Sequence, residues 1–408
     1  MTDSRRGRGG SKGEHGERAT SRAAGATVRY ALIADDLTGA LDAGAGFVRA
    51  GLRSILPYSG LPADAPEADV LLIDTHTRDG TEDAARRTAR QAAERLHAAG
   101  IARVYKKIDS VLRGFPGAEL AAVLDVYGGR ALVAPAFPAQ GRTTAGGVQL
   151  VHGRPAGPYQ GDVRAALGPA ADRCDVFDAQ TDEDLERIAR LGAARPEYRV
   201  WCGTAGLARH VASALALVPR PGSRPPALPP SLAVIAIAGS VHPATLAQIR
   251  AALDAGWAHV PLAACEPDTG TSAETSEGSL RQRLGQALAH SRRVLLSFAP
   301  LAGGREQVGG ATGSGFDVAA AAGALGRAAR AIPLDSRPAL ILTGGETAWW
   351  VCRALGTRTI EVLAEALSGI PAGVLTLAEG QVAVATKSGG FGAPDALLTV
   401  AEFLLRGG

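Results

Sequence analysis

The sequence predicts an α/β fold of two α/β domains with mostly parallel sheets and an interdomain active-site cleft. Short apolar runs that are typical of buried strands alternate with helical stretches long enough to connect parallel strands. The 408 residues suit two domains of ordinary size. A segment at 219–230 holds six prolines in twelve residues, so it can continue neither a helix nor a central strand. We therefore expect a domain boundary at this segment.

These observations predict a division of the chain into four parts. Residues 1–27 are polar and basic with no periodic apolar face, which predicts a disordered tail. We expect an N-terminal domain over 28–218, a semi-rigid linker over 219–230 and a C-terminal domain over 231–408.

The first strand and helix organise the N-terminal domain. An apolar run at 28–34 predicts a buried strand that ends abruptly at Asp35 and Asp36. Thr38 and Gly39 then open a helix whose apolar residues recur at helical spacing. Later apolar runs predict strands over 70–73, 103–105, 131–134 and 199–201, with an amphipathic helix over 81–99 and a further helix over 182–192.

The C-terminal domain repeats this alternation. Its predicted strands cover 232–238, 294–298, 339–343 and 382–385, and its predicted helices include 348–355 and 394–405. A glycine-rich stretch at 302–316 is more typical of a mobile insertion than of a loop that folds over a nucleotide.

Composition limits the function classes. A net charge of +3 is too small to indicate nucleic-acid binding. No apolar stretch is long enough to span a membrane, and the first residues lack the apolar core of a signal peptide. The four cysteines, Cys174, Cys202, Cys265 and Cys352, form no CxxC pair, so neither a disulfide framework nor a zinc site is indicated. We expect a cytoplasmic protein whose partners are small molecules, with no nucleic acid and no membrane, and leave open a homodimer.

Four clusters of acidic, cationic and amide side chains follow strands of the N-terminal domain. Because the carboxyl ends of parallel strands meet at one edge of a sheet, we expect these clusters to lie together. Carboxylates accept hydrogen bonds from hydroxyls, and arginines hold a carboxylate with paired bonds. The pattern predicts a site for a small polyhydroxy acid. The residues are Asp35 and Asp36; Asp74 and Arg78; Lys106, Lys107, Asp109, Ser110 and Arg113; and Gln140, Arg142 and Thr143.

Each cluster also has a simpler interpretation. Either Asp35 or Asp36 alone could merely cap the following helix, although two adjacent carboxylates repel unless a cation or a polyol offsets them. A lysine–aspartate pair is more often a surface ion pair than part of a site.

Three predicted strand ends in the C-terminal domain carry glycine with small hydroxyl residues, at 239–240, 344–347 and 388–392. Glycine lets the backbone approach a phosphate, and the N–H groups at a helix start bind anions. The spacing matches neither a Walker A motif nor a dinucleotide fingerprint. Each glycine cluster alone is more often an ordinary tight turn, whereas three in one domain favour a phosphate site.

Together these motifs resemble the four-carbon acid sugar kinase family, from about residue 28 to the end of the chain. The resemblance is carried by 34–40, 107–114, 136–142, 239–240, 344–347 and 387–392. It implies ATP-dependent phosphorylation of a hydroxyl on a small sugar acid, an N-terminal acid-sugar-binding domain and a C-terminal nucleotide-binding domain, with Mg²⁺ assisting as in phosphoryl transfer generally. The implied nucleotide contacts are Ser240, His242, Gly344, Gly345, Glu346, Thr347, Ser388, Gly389 and Gly390.

On this basis we assign roles in the N-terminal domain. Asp109 is the expected general base and Asp36 the second candidate, while Lys107 and Arg113 bind the substrate carboxylate or the transferring phosphoryl group. No metal ligand is assigned. The expected substrate-binding residues are Asp35, Asp36, Asp74, Arg78, Ser110, Arg113 and Arg142.

The sequence departs from the family pattern at a few positions. Val111 stands where the family usually has threonine, and Phe115 stands where it usually has asparagine. Val241 and His242 stand where the family often has cysteine and serine. We expect a substrate that is larger or less hydroxylated than a simple tetronate. Two alternatives stay open: an NAD(P)-dependent or other nucleotide-dependent enzyme on a similar fold, and a non-catalytic sugar-acid-binding homologue.

Overall fold

A computed structural model of the protein describes residues 28–58, 67–222, 225–262, 273–298 and 318–408. The predicted disordered tail, the glycine-rich stretch at 302–316 and Cys265 lie outside the described residues, as do two residues of the predicted linker, 223–224.

The N-terminal half contains ten described strands and six helices. The strands are β1 (Tyr30–Ala34), β2 (Ser54–Pro57), β3 (Val70–Asp74), β4 (Val104–Lys107), β5 (Arg130–Ala134), β6 (Arg142–Ala145), β7 (Val148–Val151), β8 (Arg154–Pro155), β9 (Cys174–Val176) and β10 (Tyr198–Gly203). The helices are α1 (Leu37–Val48), α2 (Glu82–Ala98), α3 (Pro116–Tyr127), α4 (Val163–Leu167), α5 (Asp182–Ala193) and α6 (Ala205–Ala214).

The C-terminal half contains seven described strands and five helices. The strands are β11 (Ala233–Ala238), β12 (Ala258–Pro261), β13 (Arg293–Ser297), β14 (Pro338–Thr343), β15 (Thr359–Leu367), β16 (Ile370–Thr376) and β17 (Gln381–Lys387). The helices are α7 (Pro243–Asp254), α8 (Ala273–His290), α9 (Val318–Ala331), α10 (Gly345–Ala354) and α11 (Ala396–Arg406).

Fourteen of the described strands form one sheet, in the order β12-β13-β11-β14-β17-β16-β15-β2-β3-β1-β4-β10-β5-β9. The predicted α/β fold class is confirmed, since both halves are built around parallel strands with helices between them. The two halves of the sheet join through an antiparallel pairing of β2 with β15. Strands β15, β16 and β17 also pair antiparallel, so the parallel pattern is interrupted where the halves meet. Strands β6, β7 and β8 form a separate small sheet.

The strand order determines which chain segments become neighbours. In the N-terminal half, β1 lies between β3 and β4, so the residues that follow these three strands share one edge of the sheet. In the C-terminal half, β14 lies between β11 and β17, which brings the three glycine-containing turns to the corresponding edge. Parallel strands that end together place their following loops together, and ligands of α/β sheets bind at such edges.

Close packing holds α1 against the sheet and against α6. All five residues of β1 are buried, and the Tyr30 and Phe47 rings lie 5.5 Å apart. A methyl group at Gly46 would lie 2.9 Å from the backbone of Arg209, so only glycine permits this approach of α1 to α6. The start of α1 is therefore fixed in position.

Candidate active site

Two adjacent carboxylates follow β1, and one arginine pairs with both. Asp36 caps α1: its Oδ1 accepts from the Gly39 N–H at 3.0 Å and its Oδ2 from the Thr38 hydroxyl at 2.6 Å. Arg78 donates through Nε and Nη2 to the two oxygens of Asp35, at 2.8 and 2.7 Å, and through Nη2 to Asp36 Oδ1 at 2.6 Å. The simpler interpretation of Asp36 as a helix cap is therefore correct but incomplete, because Arg78 also offsets the repulsion between the two carboxylates.

Asp35 and Arg78 each have a well-defined charge. Burial alone would raise the pKa of Asp35, but Arg78, with Lys106 and Lys107, lowers it below its ordinary value. The same carboxylates, together with Asp109, hold the pKa of Arg78 well above its ordinary value against the effect of burial. Asp35 is thus a stable anion and Arg78 a stable cation at neutral pH.

Asp109, in the loop after β4, is bound on both oxygens by one side chain. Arg113 donates through Nε to Asp109 Oδ2 at 3.0 Å and through Nη2 to Oδ1 at 2.8 Å, and the Val111 N–H adds a bond at 3.0 Å. Burial opposes ionisation, but Arg78 and Arg113, with Lys107, lower the pKa of Asp109 far below its usual range. Such a carboxylate is a weak proton acceptor.

The two lysines at the end of β4 have different surroundings. Lys106 is fully buried and its Nζ lies 2.9 Å from Glu119 Oε2, while Thr77 donates to Glu119 Oε1 at 2.6 Å. Lys107 donates to the Ile108 carbonyl at 2.9 Å, and a methyl group at Gly39 would lie 3.1 Å from its Nζ. Lys106 is thus part of an interior ion pair, whereas the Lys107 ammonium lies at the start of α1.

Asp74 and Ser110 are two further residues that the sequence predicts to bind the substrate. Asp74 Oδ1 accepts from the His76 N–H at 2.8 Å, and burial, reinforced by Asp36 and Asp35, raises the pKa of Asp74 to about 8. The Ser110 carbonyl accepts from Gln149 Nε2 at 3.0 Å.

Arg142 faces the C-terminal half. Its guanidinium carbon lies 5.0 Å from the centre of the Phe391 ring, and its Nη1 donates to the Gln140 carbonyl. Its Nε is buried and makes no hydrogen bond within the described part of the chain. Burial, with Arg113 nearby, lowers the pKa of Arg142.

The three glycine-containing turns of the C-terminal half converge on Ser240. A methyl group at Gly344 would lie 3.4 Å from Ser240 Cβ, and one at Gly389 would lie 2.3 Å from Ser240 Oγ. Thr347 Oγ1 would lie 2.4 Å from a methyl group at Gly239. Gly344 has φ +105°, which favours glycine. The turns therefore pack against one another without room for larger residues.

His242 and Gly390 extend this group. His242 caps α7, and its Nδ1 accepts from the Ala244 N–H at 3.2 Å, so the neutral ring carries its proton on Nε2. Burial lowers the pKa of His242, and Lys387, Arg113 and Arg142 lower it further. A methyl group at Gly390 would lie 3.2 Å from His242 Nε2. His242 is thus neutral at pH 7 and lies where cations of both halves act on it.

The halves meet directly at this edge. A methyl group at Gly345, the first residue of α10, would lie 2.8 Å from Asp36 Oδ2. The His76 ring stacks on Trp349 with centres 3.9 Å apart, and His76 Nδ1 lies 3.7 Å from Glu346 Oε1. The structure therefore brings the carboxylates and cations of one half against the glycine turns of the other, while the Glu346 side chain is exposed and engages His76 and Trp350.

Sequence reasoning gave no role to His76 or Phe391, and no partner to Lys387. His76 lies two residues after Asp74, inside a cluster that the sequence already indicated. Its backbone has φ +48° and its ring stacks on Trp349, which is distant in the sequence, and no local pattern encodes either feature. Phe391 packs edge-on against Phe137 of the other half, 6.0 Å away. Lys387 precedes the last glycine turn, and its surroundings depend on the folded loop.

Two further properties concern the described residues. They contain no group of three or more histidine, cysteine, aspartate or glutamate side chains that could hold a metal ion. Nor do they include a helix with both the length and the apolar character to cross a membrane.

Two family models match separate parts of the chain. Residues 30–160 match a family model described as a sugar-binding N-terminal domain, and residues 235–397 match one described as a nucleotide-binding C-terminal domain. The chain is 33% identical to a D-threonate kinase of Bordetella bronchiseptica, over 91% of this chain and 96% of the relative. It is 31% identical to a D-threonate kinase of Cupriavidus necator, over 90% of this chain and 96% of the relative. It is 28% identical to a 3-oxo-tetronate kinase of Burkholderia multivorans, over 89% and 94%.

Solved structures share the fold. A Salmonella typhimurium protein described as a putative tRNA synthase superposes with a TM-score of 0.68 at 21% identity, over 91% of this chain and 98% of that one. A Haemophilus influenzae protein superposes with a TM-score of 0.64 at 21% identity, over 92% of this chain and 100% of that one. At this identity the likeness concerns the fold alone.

Proposed function

Since the chain belongs to the four-carbon acid sugar kinase family, and is a phosphotransferase that acts on a hydroxyl group, we propose that it transfers the γ-phosphoryl group of ATP to a small sugar acid. The N-terminal half would bind the acid and the C-terminal half the nucleotide. The observation that carries this proposal is the contact between Asp36 and the start of α10 at Gly345. A carboxylate of one half thereby lies beside a helix N-terminus of the other, where a phosphate would bind.

Asp36 is the proposed general base. The acceptor hydroxyl would lie between Asp36 and the γ-phosphate, and its oxygen would attack the phosphorus as the bond to the β–γ bridging oxygen breaks. The hydroxyl proton passes to Asp36, and the products are a phosphate ester, ADP and one proton. A positioned base of this kind contributes about 10²–10⁴-fold to the rate.

Asp109, the first candidate from the sequence, suits a different role. Arg113 binds both of its oxygens. Its pKa lies far below the usual range, and for that reason it is a poor proton acceptor. We assign it the positioning of Arg113, whose side chain is 55% exposed and free to meet an anion. Arg142 and Lys107 would add positive charge for the substrate carboxylate or the transferring group.

Mg²⁺ would enter with the nucleotide. The described residues form no metal-binding cluster, and Asp35 and Asp36 already share an ion pair with Arg78. Mg²⁺ usually keeps several waters and is held largely by substrate phosphates, so an ATP complex of the ion fits these residues better than a protein cage. The bound ion would neutralise charge on the phosphates during transfer.

The substrate is proposed to be a four-carbon sugar acid or a somewhat larger relative. Relatives that act on D-threonate and 3-oxo-tetronate support the four-carbon class. Val111 and Phe115, both half-buried, border the Asp109–Arg113 loop and the start of α3. Apolar side chains at these places favour an acid with fewer hydroxyl groups on the side that faces them.

A release assay for ADP tests the proposal. Purified protein with Mg²⁺ and ATP is screened against four-carbon and larger sugar acids, with Asp36→Asn as the matched inactive variant. We expect acid-dependent ADP release by the unmodified protein and a loss of at least about 100-fold in the variant. Release that does not depend on any acid, or thermal protection by NAD(P) but not by ATP with Mg²⁺, contradicts the proposal.

A further inference from the structure

Lys387 is a buried lysine for which the described residues supply no anionic partner. It ends β17 with 1% of its surface exposed, and its Nζ donates to the carbonyls of Ser388 at 2.9 Å, Phe391 at 3.1 Å and Gly389 at 3.4 Å. No carboxylate of the described residues contributes to the pKa of Lys387, which burial alone lowers. A buried charge is costly unless something compensates it, so its retention calls for an explanation.

Two other side chains hold the same loop from the same interior side. Thr245 Oγ1 donates to the Gly389 carbonyl at 2.8 Å, and Gln248 Nε2 donates to the Phe391 and Gly392 carbonyls at 2.9 and 3.0 Å. Carbonyl oxygens of the loop are therefore directed inward, toward Lys387, Thr245 and Gln248.

The inward carbonyls determine where the loop N–H groups point. In a planar trans peptide the N–H is directed opposite to the C=O, so the N–H groups of Gly389 and Gly390 point away from Lys387. Within the described residues neither N–H makes a backbone hydrogen bond. Successive free N–H groups in a turn form a concave site for an anion.

Cationic and polar groups surround the loop. Ser240 and His242 pack against Gly389 and Gly390, and His242 is influenced by Arg113 and Arg142 of the other half. The Arg142 guanidinium also lies over the Phe391 ring of this loop, 5.0 Å from its centre. This combination of free N–H groups and cations suits the terminal phosphates of a nucleotide.

We propose that Lys387 is a positioning residue of the nucleotide site, which holds the carbonyls of the 388–391 loop inward and so presents the Gly389 and Gly390 N–H groups to the phosphates. This inference rests on the proposed function and deepens it. Lys387 contacts the loop and not the ligand, so its effect is on nucleotide affinity.

The position of Lys387 also couples nucleotide binding to proton uptake. Burial lowers the pKa of Lys387 to about 7, so near neutral pH the free protein holds both the ammonium and the neutral amine. Among the described residues, the charge of Lys387 acts on His242 of α7, as do the charges of Arg113 and Arg142. A polyanion bound in front of the loop favours the ammonium and raises the pKa of Lys387. The contribution of Lys387 to nucleotide affinity therefore falls as pH rises above about 7.

The test is calorimetric binding of ADP in two buffers of different ionisation enthalpy, without any sugar acid. Lys387→Met is compared with Thr386→Val, a near-isosteric change at the preceding residue of β17, whose buried hydroxyl has no hydrogen-bond partner among the described residues. We expect Lys387→Met to weaken ADP binding at least about tenfold and to abolish the Lys387 share of proton uptake near pH 8. Thr386→Val should bind ADP as the unmodified protein does.

A second variant keeps the test decisive if Lys387→Met does not fold. Thr245→Val removes one donor to the Gly389 carbonyl with little change in volume, and we expect ADP binding to weaken about two- to fivefold. Unchanged ADP affinity and proton uptake in Lys387→Met, or unchanged ADP affinity in Thr245→Val, overturns the inference. Protein that binds ADP but phosphorylates no sugar acid defeats only the proposed function, whereas protein that binds no nucleotide defeats both.

Discussion

Replacing Gly345 with alanine perturbs the point where the two halves of the site touch. The added methyl group would lie 2.8 Å from Asp36 Oδ2, whereas an ordinary carbon–oxygen contact is about 3.3 Å or longer. The carboxylate cannot move aside freely, because Thr38 donates to the same oxygen at 2.6 Å and Arg78 holds the other. Either Asp36 or the start of α10 must shift by about 0.5 Å.

The size of this shift sets the expected effect. A displacement of about 1 Å near reacting groups can cost about 10²-fold in rate, so about half of that distance predicts a loss of roughly tenfold in kcat/KM. Overpacking costs about 1–3 kcal/mol of stability, partly offset by the gain of up to about 1 kcal/mol from alanine in a helix. Activity should therefore fall clearly while the protein remains folded.

Steady-state ADP release and urea denaturation measure the two effects. Gly285→Ala is the matched control, since Gly285 is exposed on α8 and no described atom lies within 4 Å of the added methyl group. We expect the control to gain about 0.5–1 kcal/mol of stability and to keep full activity. If Gly345→Ala behaves as Gly285→Ala does, Asp36 and α10 are not in contact in the working enzyme and the reasoning is refuted.

Three further predictions use the same protein. Asp36→Asn should lower kcat by about 10²–10⁴-fold, whereas Asp109→Asn should mainly raise KM for the acid; equal effects in steady-state kinetics contradict the assignment. Arg78→Met leaves buried carboxylates unpaired and should cost about 3–5 kcal/mol in urea denaturation, so a loss below about 1 kcal/mol contradicts the ion-pair argument. Burial raises the pKa of Asp42 to about 7, so the unmodified protein loses stability as pH rises toward 7. The free energy of unfolding of Asp42→Asn should therefore rise by about 2 kcal/mol relative to that of the unmodified protein between about pH 5 and pH 7. A difference in denaturation midpoint that does not change with pH refutes this.

The sequence was sufficient for the parts of the fold that depend on local pattern. The apolar run before Asp35 gave β1, and its abrupt end placed the acidic pair at the sheet edge where the structure has it. The glycine turns at 344–347 and 388–390 were likewise located by the strands before them. These features can be read because side-chain periodicity and turn composition are local properties.

Other features depend on contacts between distant residues. Strand β2 is four residues long, and nothing local distinguishes it from a loop until β15 pairs with it across the chain. Helix α6 follows β10 directly, where the sequence predicts no helix; burial of its apolar face against α1 stabilises it. Single-sequence patterns do not contain these tertiary contributions.

The roles of side chains were the least accessible. The sequence placed Asp109 among the candidate residues. It did not reveal that Arg113, four residues later, binds both oxygens of Asp109. Similarly, the pairing of Arg78 with Asp35 and Asp36 joins residues about forty positions apart. Such pairings affect how readily a carboxylate accepts a proton. They depend on differences of a few tenths of an ångström in the distance between donor and acceptor atoms.

Phosphorus NMR of the reaction products is the most direct test of the central account, in which Asp36 at the start of α10 assists phosphoryl transfer from ATP to an acid. The spectrum should show a new phosphate ester of the sugar acid in amounts equal to the ADP formed, and this signal should be lost with Asp36→Asn. Inorganic phosphate as the sole new product, or an ester formed equally well by the variant, would contradict it.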